Sequence, residues 1–385
     1  MNASTTMSES TQISADPPKT VTETAAATEA QPGWGRALFG LGRNGGGRSR
    51  LAHDPLALSP RARAGAYAVL VAWSLIVLFP IYWMITTSFK TPLDVNSGPV
   101  YLPGVDFEGT TEAWDYIINE EPQTTRAFVN TVVVGVVSSL LTLVLGASAS
   151  YGLSRLEFRP RLASVVAFLA GIAVAVATTI AGLAWQMGIL LGLAFFAASI
   201  ATWARRFEFR LSNDDIAFWL ISQRILPPIA VVLPLYVFFQ QLQLLDTRTA
   251  LIVTYVGANV PIAIWLLRDF FAGIPVHLEE AAAIDGATRP QTFWFVVLPA
   301  AVPGLVATFL FIMVFAWNEF LIASVLTSAD AQTMPMLVVA QNATRGPQWW
   351  NMSVLILIMS LPVILMAGFL ERFIARGLLV GAVKG

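Results

Sequence analysis

The sequence has no cysteine, only two histidines and very little charge. Without cysteine there can be no disulfide framework and no thiolate to hold a metal. His53 and His277 stand far apart in the chain, which excludes a histidine-rich metal cluster. A net charge of −1 provides no basic field to attract nucleic acid. Charged residues make up only 12% of the chain. A soluble domain carries about 25%, so these 385 residues cannot all be covered by a water-solvated shell. What the sequence does have is apolar bulk, 56% of its residues, with a mean hydropathy of +0.66. Lipid is therefore expected to be the solvent for much of the chain.

The first sixty residues contain no long apolar run. Residues 1–60 are rich in Thr, Ser, Ala and Gly, including Gly45-Gly46-Gly47, and read as a disordered cytoplasmic extension. No cleavable signal is expected, because the first long apolar run begins near Gly65. The stretch from Gly42 to Ser49 falls short of a phosphate-binding loop. It has Arg48 where Lys is required and no apolar strand before it.

Crossing a bilayer core of about 30 Å takes about 20 apolar residues. Segments 65–87, 128–150, 218–240, 250–267, 304–326 and 352–370 meet this requirement. Segment 162–204 has no Asp, Glu, Lys or Arg and, as a single helix, would be about twice as long as the core is thick. It reads as two crossings with a turn near 182–188. The expected fold is therefore all-α, a polytopic membrane bundle of eight spans over residues 61–385. Basic residues orient it. Arg48, Arg50, Arg61 and Arg63 precede the first span and place the N-terminus in the cytoplasm, whereas 91–123 carries seven acidic residues and no basic one, as an external loop would. Arg155, Arg159 and Arg161 before the uncharged stretch, and Arg205, Arg206 and Arg210 after it, put both of its ends inside. Continued alternation makes the loop around Asp246 external, the loop from His277 to Arg289 internal, and the tail with Arg372, Arg376 and Lys384 internal.

The segment 274–299 holds the most information. Pro275 suits a first helical turn, and Glu279 and Glu280 sit where the helix dipole favours negative charge. Ala281, Ala282 and Ala283 make a narrow face that another backbone can approach. Gly286 allows a break, and Pro290 opens a second helical piece before Leu298-Pro299. A short, small-faced helix outside the membrane suits a cleft in another protein.

Glu280-Ala281-Ala282, followed by Gly286 and then Leu298-Pro299, resembles the cytoplasmic EAA loop of binding-protein-dependent ABC importers. Further stretches are similar to the carbohydrate-uptake, maltose-transporter-type permeases: Phe79-Pro80-Ile81-Tyr82-Trp83 with Ser88-Phe89-Lys90, Leu226-Pro227-Pro228 with Pro234-Leu235-Tyr236, and Trp317-Asn318-Glu319-Phe320. The ending, Arg376-Gly377 to Gly381-Ala382-Val383-Lys384-Gly385, is similar too. The resemblance covers nearly everything from about residue 65 onward. It implies a type I importer permease in a bacterial inner membrane, forming half of a path for a sugar or polyol by alternating access. It also implies the partners: a second permease subunit, two ATPase subunits that bind the ATP and Mg, and an extracytoplasmic solute-binding protein. On this reading no cofactor or catalytic residue would belong to this chain. The loop residues Glu279, Glu280, Ala281, Ala282, Asp285, Gly286, Leu298 and Pro299 would couple to the ATPase. The tail at 371–385, with Arg376, Gly377, Gly381 and Lys384, would reach toward it. Two features depart from the family pattern of six spans: the N-terminal extension and the inserted hairpin at 163–204. An even number of extra crossings leaves every later loop on its usual side, so the hairpin is expected on the periphery of the bundle.

Asn318 and Glu319 fall in or near an apolar span. They read either as contacts in a substrate path or as helix–helix hydrogen-bonding groups near the external interface. Gln240, Gln241 and Gln243 read either as sugar contacts or as the polar external end of a helix. Trp349 and Trp350 could stack on sugar rings or form an aromatic belt. Two other functions stay open. One is an importer permease for amino acids or polyamines. The other is an ion-coupled secondary transporter, which needs ionisable residues near the bilayer midplane, and the spans offer almost none.

Overall fold

The computed structural model describes residues 59–98, 100–157, 159–342 and 346–382, with side chains left out at 370 and 372–382. The chain divides into two units, residues 1–66 and 67–385. Of the first, only Ser59 onward is described, where helix α1 (Pro60–Thr87) starts. The extension at 1–58, including the stretch from Gly42 to Ser49, lies outside the described residues.

Everything else described is helix and connecting loop. Helices α2 (Pro122–Arg155), α3 (Leu162–Ile180) and α4 (Trp185–Thr202) follow α1. Then come α5 (Asn213–Ser222), α6 (Pro228–Gln241) and α7 (Arg248–Gly273). The short α8 (His277–Ile284) leads to α9 (Val302–Trp317), α10 (Leu321–Leu326) and α11 (Trp349–Ala382). Among the described residues, six helices are long and apolar enough to cross a membrane, or eight spans if each of two bent pairs is one.

Helices α2 and α7 form the centre. The buried face of α2 is small and weakly polar: Thr131, Gly135, Ser138, Ser139, Thr142, Gly146, Ala147 and Ser150. In lipid the outside is as apolar as any partner, so helices associate by close backbone approach rather than by hiding large apolar side chains. Hydroxyls on this face turn back to their own helix, Thr131 Oγ1 donating to Ala127 O at 2.8 Å and Ser138 Oγ to Gly135 O at 3.2 Å. Large side chains from Val69 to Ile85 in α1 stay exposed, as do many in α3 and α4.

Three sequence expectations are corrected. Segment 218–240 is not one straight span, because α5 with its 3₁₀ extension to Ile225 meets α6 at 88°. Consecutive prolines explain this. Leu226 and Pro227 each precede a proline and take extended backbone, ψ 126° and 127°, because the following ring bars the helical region. The span expected at 304–326 ends at Trp317, where Asn318 caps α9, and a separate short helix, α10, follows. The turn expected at 182–188 is confined to 181–184, with Gly182 at φ +95°, and Gly188 lies inside α4. It is needed there for contact. A Cβ on Gly188 would come within 2.5 Å of Thr179 Oγ1, and one on Gly192 within 2.5 Å of Gly171 O. Helices α3 and α4 pack chiefly on each other. The base of their hairpin is closed by Leu162 N–H donating to Phe209 O at 3.0 Å and Leu211 N–H to Pro160 O at 2.9 Å. Both ends of the uncharged stretch therefore meet at one place, as the flanking arginines suggest.

A polar clasp joins the starts of α2 and α7 to the segment 328–334. Asn130 Nδ2 donates to Asp330 O and Gln332 O, Arg248 Nε donates to Asn130 Oδ1 at 2.7 Å, and Met334 N–H donates to Thr131 Oγ1. Beside it, the Asp246 carboxylate accepts from the backbone N–H groups of Ser328, Ala329, Asp330 and Ala331 at 3.0–3.1 Å. Burial pushes this carboxyl up, and the four N–H donors together outweigh burial and hold it down at about 2. A folded-state pKa below the unfolded value of about 3.9 contributes stability that is full above about pH 5 and lost as pH falls toward 2. Asp246 also sits at φ +56°, a conformation asparagine tolerates, so Asp246→Asn removes the charge without backbone strain. Hydrogen exchange of amides 328–331 should be about tenfold faster in Asp246→Asn at pH 7. The wild type should lose the same protection only as pH approaches 2.

Candidate functional site

At the opposite end of α2 from this clasp, the last turn of that helix meets the loop after α7. Arg155 is the last residue of α2, where a cation complements the helix dipole. One of its terminal nitrogens donates to Phe271 O at 3.0 Å and Ile274 O at 2.7 Å, carbonyls left open where α7 ends. Its Nε donates to Glu279 Oε1 at 2.5 Å, and the Tyr151 hydroxyl donates to Glu279 Oε2 at 2.8 Å. Both charged side chains are largely buried, at 13% and 14% exposure. Rings close around them, Tyr151 lying 4.8 Å from Phe293 and 6.0 Å from Phe271 between centroids. A core of Ala147, Leu267, Phe271, Ile274, Val297 and Ala301 lies beneath.

This anchor fixes helix α8. Its C-terminus is a Schellman motif, with Gly286 N–H donating to Ala283 O at 3.1 Å and Ala287 N–H to Ala282 O at 3.0 Å. Gly286 sits at φ +84°, which explains the glycine, and nothing lies within 4 Å of a Cβ placed there. The next piece is capped by Thr288 and Gln291, each answering the other's backbone N–H, with Pro290 in its first turn. From there Arg289–Ala300 runs on to meet α9 at 77°.

The loop residues singled out in the sequence are brought together here, but not all in one role. Glu279 faces inward onto Arg155 and Tyr151 rather than merely answering a helix dipole. Pro275 precedes α8 instead of lying in its first turn, with Leu278 N–H bonding its carbonyl. Glu280, Ala281, Asp285 and Gly286 are exposed, and Ala282 is half-buried. Leu298 is half-buried and Pro299 exposed at the far end of the loop. Ile284 is 86% and Phe295 78% exposed, an apolar rim on a surface that the bundle does not cover. The tail residues Arg376, Gly377 and Gly381 lie on the helical backbone of α11, their side chains outside the described residues. Lys384 lies outside the described residues altogether. Arg155 and Tyr151 were missed as site residues, since an arginine after a span marks sidedness before it marks a contact.

A second feature lies midway along the bundle. A cavity of about 670 Å³ opens where α5 and α6 break, walled by α7 and by Phe315 and Glu319. Arg224 lines it, one terminal nitrogen donating to Asn259 Oδ1 at 2.6 Å, with the guanidinium carbon 5.3 Å from the centroid of Phe315. Asn259 Nδ2 donates to Tyr255 O in its own helix. Glu319 Oε1 accepts from Ile322 N–H at 2.9 Å, capping α10, and its carbonyl receives the Tyr255 hydroxyl at 3.4 Å. Asn318 is exposed and bonds Val314 O in its own helix. Neither residue therefore bridges helices through its side chain, and Glu319 is the one that reaches the cavity. Arg224 is an ionisable group within the segment 218–240 expected to span. In the sequence it sits beside Leu226-Pro227-Pro228, the signal that could have found it. Among the described residues, no group of three or more His, Cys, Asp or Glu could hold a metal ion.

Residues 207–380 match the family described as "Binding-protein-dependent transport system inner membrane component". The inner membrane ABC transporter permease protein YcjP of Escherichia coli (strain K12) is 31% identical, over 84% of this chain and 97% of its own. The trehalose/maltose transport system permease protein MalG of Thermococcus litoralis is 27% identical, over 83% and 95%. Among solved structures, a bacterial ABC transporter involved in the import of the acidic polysaccharide alginate aligns with a TM-score of 0.54. It is 20% identical and covers 82% of this chain and 98% of that one. That likeness supports the fold alone.

Proposed function

The chain belongs to the binding-protein-dependent ABC importer permeases, and on that premise we propose that it forms half of the path for a sugar or polyol, with α8 as the helix that takes up motion from an ATPase subunit. The family works as a binding-protein-dependent system of paired permeases and ATPases with a solute-binding protein. In the finer reading, a binding protein delivers solute at the Asp246 end. Two ATPase subunits close on ATP and Mg at the Arg155 end, and a second, distinct permease completes the path. The N-terminus and the tail at 371–385 then lie in the cytoplasm.

The observation that carries the coupling reading is the split character of α8. One edge is tied to the central span through Glu279, Tyr151 and Arg155, while Glu280, Ala281 and Ile284 stand uncovered. A helix loose on both sides would absorb a push, whereas this one passes a displacement to α2. The sugar class is supported by the trehalose/maltose permease of Thermococcus litoralis. The test is uptake of labelled maltose, trehalose, glucose and sorbitol by proteoliposomes holding the whole importer. Uptake should require ATP and survive an uncoupler. Loss to the uncoupler would point to an ion-coupled carrier, and a binding protein that retains amino acids or polyamines would shift the solute class.

The hairpin α3–α4 we place at the periphery of the permease, which its self-contained packing supports. Removing 163–202 should leave ATP-driven uptake within about threefold of the full chain. Loss of uptake despite normal insertion and assembly would count against this placement.

A further inference from the structure

We infer that the cavity at the break between α5 and α6 is a solute-contacting part of the path on this chain, where Arg224, Asn259 and Glu319 bind the hydroxyls of a neutral sugar or polyol. This deepens the proposed function and rests on it.

Depth is the first argument. Asn259 stands near the middle of α7, about 17 Å from its first residue and about 21 Å from its last at a rise of about 1.5 Å per residue. Arg224, bonded to it, therefore lies midway through the bundle. A cation at that depth costs about 2.5–3.5 kcal/mol and persists where it faces a wet cavity or a partner. Among the described residues Arg224 makes one hydrogen bond, although a guanidinium has five N–H donors. The carboxylate of Glu319 spends one oxygen on Ile322 N–H. Donors and an acceptor are thus left over on the wall of the cavity.

The wall supplies the second argument. Gln223, Arg224, Leu226 and Pro228 line the cavity from the break itself, and irregular backbone at membrane depth is tolerated where it lines a cavity. Apart from Thr254, Asn259 and Glu319, the rest is mostly apolar and aromatic, including Phe238, Phe239, Tyr255 and Phe315. A largely apolar wall with a few fixed polar groups, and a volume within about 300–1,000 Å³, is the usual make-up of a small-molecule site. Arg224 and Glu319 bring one charge of each sign, which favours a neutral polyhydroxylated solute over an anion. Aromatic faces suit the C–H faces of a sugar ring.

The test uses the whole importer in proteoliposomes, with maltose, trehalose, glucose and sorbitol as probes. Arg224→Ala and Glu319→Gln should each raise KM for the transported probe about tenfold. Gln retains the acceptor for Ile322 N–H, so a rise there is not a capping defect, and Arg224→Lys should recover part of the loss. The chain has no cysteine, so Val231→Cys places a single thiol on the cavity wall. Saturating transported probe should slow its labelling by a membrane-impermeant maleimide. Unchanged KM in both variants, labelling indifferent to the probe, or a thiol shielded by the second permease would overturn the inference alone. Failure of the unaltered importer to move any of the four probes would sink the sugar reading together with it.

Discussion

Replacing Arg155 with alanine is expected to abolish ATP-driven uptake while the chain still inserts in the membrane. The substitution leaves Glu279 as a largely buried carboxylate with only the Tyr151 hydroxyl for company, and strips two carbonyls at the end of α7 of their donor. Breaking a buried ion pair from one side costs about 3–5 kcal/mol. That is too little to keep a polytopic bundle out of the bilayer, but more than enough to detach one short helix. Arg155→Lys should fail almost as badly, because an ammonium cannot reach a carboxylate and two carbonyls in the planar fork that guanidinium presents. Glu279→Gln should be milder, since the amide oxygen can still accept from Arg155 or Tyr151. The measurements are uptake in proteoliposomes, ATPase activity of the same vesicles, and proteolytic nicking at 277–290. The expected pattern is lost uptake, persistent ATPase activity and faster nicking. Full uptake in Arg155→Ala would remove the anchor from the account.

Gly286→Trp acts on the other face and should uncouple ATPase activity from uptake. Two effects separate through a control. Any side chain at φ +84° pays about 1–2 kcal/mol of backbone strain, so Gly286→Ala measures strain alone. It should keep most of the transport, because a methyl group there meets nothing within the chain. The indole adds bulk on the uncovered surface beside Ile284, where a partner would have to fit. Uptake should fall at least about tenfold below Gly286→Ala with insertion unchanged. Equal uptake in the two variants would mean that no partner approaches this surface.

Much of this was legible in the sequence, for physical reasons that differ by element. Spans announce themselves because a bilayer demands about 20 apolar residues in a row. The 162–204 stretch declared a hairpin by length and by its flanking arginines. Helix α8 was readable because its alanines and Gly286 are local signals, and the Schellman motif needs no distant residue. The anchor was not readable. Glu279 and Arg155 are 124 positions apart, and nothing local distinguishes an arginine that pairs from one that marks the inner face. Arg224 was hidden similarly, since its meaning depends on the 88° bend that puts it against Asn259. Pro227-Pro228 foretold a kink but not its size. The end of α9 was overshot because Leu321 to Leu326 continues the apolar run past Asn318 and Glu319. Only the capping bonds of those two residues show that the helix stops.

If α8 is where an ATPase subunit bears on this chain, one thiol can test it. Ile284 is almost fully exposed and the chain has no cysteine, so Ile284→Cys offers a single reactive site. The importer should be assembled with its ATPase and treated with a short bifunctional maleimide, with and without ATP. An adduct between this chain and the ATPase subunit is expected, its yield changing with nucleotide. A thiol that reacts with an impermeant reagent added outside intact cells, or that never joins the ATPase, would contradict it.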